Sequence, residues 1–278
     1  KSESVPISSQ TEMREVLEMA FEKQMRRYRS QLDKWGLVQL VSEEKLEEKR
    51  FDEELARPWD DYSPALSVTG NPVWKILIRP PEYRRDRLGA SRELVRIIEA
   101  SAVRLRGLSF PELPQEGIRI RDEYVEARSG ERGRRWWWRL YRSGQFLAYR
   151  GLPPHDREAG RLDTLDALEV LTELYEFASR LVQKEGFDSR LLLHTALDGI
   201  EGSGLYYLRQ DAPEFAAFTS AGPRFFFDTT QRADELITRG HEEALERTVR
   251  LLQHFRWENP PRPLLAEEQR KFLERRLS

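Results

Sequence analysis

The densest apolar pattern of the chain lies between residues 134 and 151, where two runs rich in aromatic residues flank Ser143 and Gly144. Two such runs joined by a Ser-Gly pair are typical of a β-hairpin with a two-residue turn. That turn would pair Leu140 with Leu147 and Trp138 with Tyr149. Because side chains alternate across a strand, one face would carry Trp136, Trp138, Leu140, Leu147 and Tyr149, and the other Trp137, Arg139, Tyr141, Phe146 and Arg150.

The same patterns predict the other elements of the chain. Alternating or continuous apolar residues predict strands at residues 73–78, 117–127 and 224–228, and a second hairpin formed by residues 191–200 and 205–208. Helical spacing predicts helices at residues 11–35, 42–55, 91–105, 163–181, 229–255 and 265–277. Capping residues support the starts of three of these helices, namely Ser9, Asp163, and Thr229 or Thr230.

The order of these elements contains no regular alternation of strand and helix, which a parallel sheet would require. It predicts an α+β fold, in which a mostly antiparallel sheet has helices packed on one face and is preceded by an N-terminal helical segment. We divide the chain into a helical segment and linker at residues 1–65, an α+β domain at residues 66–262, and a short C-terminal helix at residues 263–278.

Composition narrows the class of protein. Of the 278 residues, 39% are hydrophobic and 34% are charged, which is typical of a globular, charge-rich chain. The apolar runs are far shorter than the roughly 20 residues of a membrane helix. The absence of cysteine excludes disulfides and thiolate chemistry and is compatible with the cytoplasmic location that we predict. A net charge of −2 argues against a wholly basic nucleic-acid binder.

The sequence shows no catalytic signature. The four histidines are scattered without metal-ligand spacing, and residues 199–204 have the wrong spacing for a phosphate-binding glycine loop. The abundant carboxylates, such as Asp198 and Asp228, form no convincing set for a two-metal nuclease. We therefore expect no metal and no cofactor, and we place an enzyme behind the two binding hypotheses below.

Arginine and aromatic residues cluster around the predicted hairpin. Guanidinium groups bind phosphates bidentately, and exposed aromatic rings stack on bases. The candidate residues for binding a nucleic acid or a partner are Arg134, Arg135, Trp137, Arg139, Tyr141 and Arg150. Two other interpretations remain open, because Trp, Tyr and Arg also dominate protein–protein interfaces, and because interspersed acidic residues such as Glu126 could neutralise the arginines.

Three stretches resemble one known family. The segments at residues 4–13 and Pro72–Pro80 and the run from Trp138 to Phe146, Trp-Arg-Leu-Tyr-Arg-Ser-Gly-Gln-Phe, are similar to regions of prokaryotic proteins with an AlbA-like Schlafen-type domain. The resemblance implies that this chain is the C-terminal part of such a protein, without the AlbA-like domain itself. It implies an upstream DNA- or nucleotide-binding domain, and it transfers no functional residue to this chain.

Together these observations favour a non-enzymatic accessory module, for sensing or protein interaction, attached to that upstream domain. The alternative is a module that binds nucleic acid directly through the hairpin at residues 134–150. The apolar stripe of the helix at residues 11–35 approaches heptad spacing, which predicts a homodimer through this helix. No membrane partner is expected.

Overall fold

A computed structural model describes residues 49–56, 72–105, 109–114, 117–128, 135–153, 156, 160–206 and 218–274. The chain divides into two compact units, residues 1–52 and residues 53–278, and the fold given below is that of the second unit. The predicted helix at residues 11–35, its cap Ser9 and the dimer contact assigned to it lie outside the described residues. The three-part division of the chain stays a prediction.

The centre of the second unit is a seven-stranded antiparallel sheet with the order β11-β9-β1-β7-β6-β5-β4. The described strands are β1 (Val73–Arg79), β2 (Val103–Arg104), β3 (Ser109–Phe110), β4 (Arg119–Ile120), β5 (Tyr124–Arg128), β6 (Trp136–Tyr141), β7 (Phe146–Gly151), β8 (Arg161–Asp163), β9 (Arg190–Asp198), β10 (Gly204–Tyr206) and β11 (Arg224–Arg232). The described helices are α1 (residues 49–56), α2 (Ser91–Ser101), α3 (Thr164–Leu181), α4 (Ala233–His254) and α5 (Arg262–Glu274). The predicted α+β class with an antiparallel sheet is confirmed.

The main core lies between one face of the sheet and the helices α2, α3 and α4. The sheet contributes side chains such as Trp74, Trp138 and Phe146, and α3 contributes a stripe that is buried along most of its length. Asp163 begins α3 as predicted, because its Oδ1 accepts a hydrogen bond of 2.9 Å from the backbone N–H of Leu165.

A second cluster covers the opposite face of the central strands. It consists of Val73, Trp137, Tyr141, Leu147 and Tyr149, and Leu55 of α1 packs against it. The hairpin β6–β7 is therefore buried on both faces, whereas a sheet with helices on one side only would leave one face to solvent.

The register of this hairpin differs from the prediction by one residue. The Tyr141 N–H donates to the Gln145 carbonyl at 2.9 Å, so the loop has three residues, Arg142 to Gly144, with Gly144 at a φ of 88°. Leu140 pairs with Phe146, and Trp137 with Tyr149. A shift of one residue exchanges the faces of a strand. Leu147 and Tyr149 therefore join Trp137 and Tyr141, while Phe146 and Arg150 lie on the face covered by helices.

Three other local predictions are also wrong. The predicted hairpin of residues 191–200 and 205–208 does not form, because β9 pairs with β1 and β11 while β10 runs parallel to β8. The predicted strand at residues 117–127 is a hairpin of two strands, β4 and β5. Thr229 and Thr230 do not begin a helix; they continue β11, and α4 starts at Ala233, since β-branched residues suit a strand better than a helix.

We predict that Gly144→Ala destabilises the protein more than Gly202→Ala. Both glycines have a positive φ, which costs an L-residue about 1–2 kcal/mol. A Cβ at Gly144 would also meet Pro80 and Arg87 at 3.0 Å, whereas a Cβ at Gly202 meets nothing within 4 Å. Urea denaturation measures both free energies of unfolding, and equal losses would contradict the three-residue loop packed against Pro80.

Candidate interaction surface

The predicted hairpin site is mostly interior. Arg134 lies outside the described residues, and Arg135 is half-buried, with its carbonyl accepting the Gly151 N–H. The four remaining candidates, Trp137, Arg139, Tyr141 and Arg150, are each at most 5% exposed. Trp137, Arg139 and Tyr141 lie together on one face, and the shift in register places Arg150 on the other.

Arg139 is neutralised within the sheet. Its Nη2 lies 2.8 Å from Oε2 of Glu126, the residue directly across on β5, and its Nη1 donates to the Tyr141 hydroxyl at 2.9 Å. The guanidinium also lies over the ring of Tyr124, 3.9 Å from its centroid. A phosphate would have to displace Glu126 to reach this arginine. For Arg139, the structure therefore agrees with the interpretation that neighbouring acidic residues neutralise the arginines.

Arg150 has an equivalent partner on the other face. Its Nη1 lies 2.8 Å from Oε2 of Glu173 on α3, and both side chains are at most 6% exposed. This ion pair joins β7 to α3. Its main role in the described structure is therefore to connect two layers of the fold.

We predict that Arg150→Ala and Glu173→Ala each lower the free energy of unfolding by about 3–5 kcal/mol, because each removes the opposite charge 2.8 Å from a buried charge. The double variant R150M/E173L should lose much less than the sum of the two single losses. The exposed pair of Arg270 and Glu274 is the control, and R270A should change stability by less than about 1 kcal/mol. Chemical denaturation of all variants checks this, and additive single losses would contradict it.

A polar cluster attaches α1 to the hairpin loop. The carboxylate of Glu54 accepts hydrogen bonds from Ser143 Oγ at 2.7 Å, Gln145 Nε2 at 3.2 Å and the Tyr83 hydroxyl at 3.2 Å. The Tyr141 hydroxyl donates to the backbone carbonyl of Glu54 at 2.6 Å. Local sequence patterns do not indicate this cluster, because Tyr141, Ser143 and Gln145 are 87 to 91 residues distant from Glu54 along the chain. Burial raises the pKa of Glu54 from its ordinary value of 4.5 to about 7.

The raised pKa of Glu54 predicts a pH dependence of stability. Between pH 4.5 and about 7 the folded protein holds a proton that the unfolded chain has lost, so the free energy of unfolding falls as pH rises through this window and levels off above it. The loss is at most about 3 kcal/mol. Glu54→Gln should remove this slope, and Glu53→Gln, an exposed neighbour on α1, should leave it unchanged.

Denaturation midpoints measured from pH 4 to pH 8 give the test of Glu54. Burial also raises the pKa of the N-cap Asp163 to about 6. Its contribution to the pH dependence of stability is the same in the wild type and in both variants, so it cancels in the comparison. A slope that is identical in the wild type and in E54Q would contradict the assignment.

The strands β9 and β11 carry the exposed part of the same sheet face that holds Trp137. The pairing places Phe226 across from Ala196, Arg224 across from Asp198, and Asp228 across from His194. Three large apolar side chains are exposed among the described residues, and Phe226 is the most exposed at 59%. We call Lys75, His194, Asp198, Arg224, Phe226 and Asp228 the edge surface.

Two ion pairs and a His–Asp contact frame Phe226 on the edge surface. Asp198 lies 2.7 Å from both Lys75 Nζ and Arg224 Nε, and His194 Nδ1 contacts Asp228 Oδ1. The Arg224 guanidinium lies 6.0 Å from the centroid of the Phe226 ring. An exposed aromatic ring surrounded by polar groups is the anatomy of a protein-binding surface.

The edge surface borders a strand with one unpaired side. In the described sheet β11 pairs with β9 only. The Pro223 carbonyl accepts from Gly199 and Ile200, and the Ala233 N–H donates to Ser189, so odd-numbered residues direct their backbone groups toward β9. Because these directions alternate along an antiparallel pair, the N–H and C=O groups of Arg224, Phe226, Asp228 and Thr230 point away from the sheet.

The edge surface holds two of the carboxylates considered for metal chemistry. Asp198 and Asp228, which the sequence offered as possible carboxylates for acid–base or Mg²⁺ chemistry, are each paired with a basic side chain. In the described ranges, no three His, Asp or Glu side chains come together in a way that could hold a metal ion. None of the described helices is both long and apolar enough to cross a membrane.

Comparison with known proteins adds no further constraint. No family model matches the chain, and neither a curated protein nor a solved structure is significantly similar to it. The resemblance to Schlafen-type proteins therefore stays a prediction.

Proposed function

We propose that this chain is a non-enzymatic protein-interaction module and that its partner binds the edge surface. The observation that carries the proposal is the exposure of Phe226, a large aromatic side chain held on a regular strand and framed by ion pairs. Burial of such a ring in a partner would contribute about 1.5–3 kcal/mol of binding free energy, and aromatic residues with a neighbouring arginine are typical binding hot spots.

Charge favours a protein over a nucleic acid as the partner of this surface. The edge surface carries two cations, Lys75 and Arg224, and two carboxylates, Asp198 and Asp228, so its formal charges balance apart from His194. Nucleic-acid binding depends on an excess of positive charge. In the alternative that residues 134–150 bind nucleic acid, Arg139 and Arg150 could contribute only by leaving their buried carboxylate partners.

The accessory role extends the sequence-based hypothesis. If the resemblance to Schlafen-type proteins holds, the module would be attached to an upstream nucleic-acid- or nucleotide-binding domain. It would then recruit that domain to a protein partner, or hold several such domains together.

Photo-crosslinking from position 226 tests the proposal. A photoreactive phenylalanine analogue placed at position 226 should give a discrete covalent adduct in cells of the source organism. The same analogue at Ile120, which is 51% exposed on β4, should give none. Excess untagged protein should compete with the adduct, because a specific surface saturates.

Three outcomes are distinguished by mass spectrometry of the adduct. A specific adduct with any protein, including a second copy of this chain, supports an interaction surface at Phe226. Equal labelling from positions 226 and 120, or no adduct at either, overturns the proposal. An adduct of position 226 with nucleic acid would overturn it in favour of the alternative.

A further inference from the structure

We infer that the protein bound at the edge surface is a second copy of this chain, whose β11 pairs antiparallel with β11 of the first copy around Phe226. This inference rests on the proposed function and names the partner. It joins two seven-stranded sheets into one continuous sheet, with a two-fold axis at the Phe226 pair.

The two edges of the sheet differ in a way that singles out β11. Proteins normally protect an edge strand by keeping it short, or with proline, lysine or a bulge. The edge strand β4 follows this rule, since it has only two residues. The edge strand β11 has nine residues, contains neither proline nor lysine, and pairs with β9 in one unbroken register.

Backbone direction allows self-pairing of β11. Its residues 224, 226, 228 and 230 direct their N–H and C=O groups outward. Antiparallel pairing of two identical strands around Phe226 places Phe226 opposite Phe226 and Arg224 opposite Asp228. All three pairs thus formed are of the hydrogen-bonded type, which exchange two backbone hydrogen bonds each.

Charge and the pairing of Phe226 together select this register among the symmetric ones. Pairing around Phe226 places Arg224 opposite Asp228 of the second copy, twice. Pairing around Asp228 would place two aspartates together and Arg224 opposite Arg232. Pairing around Phe227 would place Phe226 opposite Asp228. Pairing around Thr230 would place Asp228 opposite Arg232, but it would leave Phe226 opposite residue 234, beyond the end of β11. Opposite charges directly across two strands stabilise the pair and like charges destabilise it, so the register around Phe226 is preferred among those that pair Phe226 within β11.

Arg224 and Asp228 can form these contacts and keep their contacts within the chain. Arg224 approaches Asp198 through Nε, and its Nη groups carry four further N–H donors. His194 contacts Oδ1 of Asp228, and the second oxygen of that carboxylate can accept from the second copy. On the other face, the same register places Phe225 opposite Phe227, so that the helix-covered cores would meet across the junction.

Sedimentation velocity gives the first test. The wild type should shift from the mass of one chain toward that of two over roughly a hundredfold range of concentration, because five paired residues per strand form a small, weak interface. Arg224→Asp and Asp228→Arg should each raise the dissociation constant by about tenfold or more, since each places two like-charged pairs across the junction.

Mixing the two variants supplies the control for damage within the chain. R224D and D228R together form a complex with opposite charges at both positions, so an equimolar mixture should dimerise although neither variant does so alone. Lost contacts with Asp198 or His194 remain lost in the mixture and cannot explain this recovery.

A cysteine crosslink tests the register directly. The chain has no cysteine, so Phe226→Cys introduces a single thiol. Residues opposite each other in a hydrogen-bonded pair have Cα atoms about 5.5 Å apart, which suits a disulfide. Under mild oxidation F226C should form a covalent dimer, whereas Ile120→Cys on β4 should stay largely monomeric.

The outcomes separate this inference from the proposed function. A concentration-independent monomer, together with equal crosslinking of F226C and I120C, overturns self-pairing. If photo-crosslinking at position 226 then captures a different protein specifically, the interaction surface stands and its partner is not a second copy. A dimer that R224D strengthens would place the axis at Asp228 and overturn the register.

Discussion

The structure depends on the burial of the hairpin β6–β7 on both faces. A buried charge needs a partner of opposite charge, and each of the two buried arginines of this hairpin has such a partner. Arg139 pairs with Glu126 across the strands, and Arg150 pairs with Glu173 on α3. The first pair joins two strands within the sheet, and the second joins the sheet to α3. Both arginines are therefore buried. The exposed part of the sheet face that holds Trp137 and Arg139 lies on β9 and β11.

The loop of the hairpin is part of the same arrangement. A three-residue loop turns Ser143 and Gln145 inward, where both are fully buried and donate to Glu54. The loop thereby becomes the attachment point for α1, instead of an exposed turn. A single extra loop residue thus determines which side chains of β7 lie on each face of the sheet. It also places the groups that bind Glu54 of α1.

The sequence predicted the elements better than their partners. The apolar strand at residues 73–78, the cap at Asp163 and the α+β class follow from local patterns, and the structure confirms them. The hairpin register could not be predicted, since a Ser-Gly pair suits loops of two or three residues. The neutralisation of Arg139 and Arg150 was equally inaccessible, because their partners are 13 and 23 residues distant and become neighbours only through tertiary pairing.

The edge surface was missed for a related reason. The strand at residues 224–228 was predicted, but its pattern of three consecutive phenylalanines does not indicate which ring faces solvent. That depends on the pairing with β9 and on the position of α4, both of which are non-local. An alternation of Arg224, Phe226 and Asp228 with Phe225 and Phe227 is the signal that could have separated the two faces.

The difference between the two sheet edges also limits growth. Amyloid-like fibres and open filaments need a unit that can add strands at two sites, so that each new copy offers another free site. In the described sheet β4 is two residues long, and only β11 offers an extended row of outward backbone groups. A copy added at β11 uses up that row. Strand addition at β11 would therefore end in a closed pair and would not continue into a polymer.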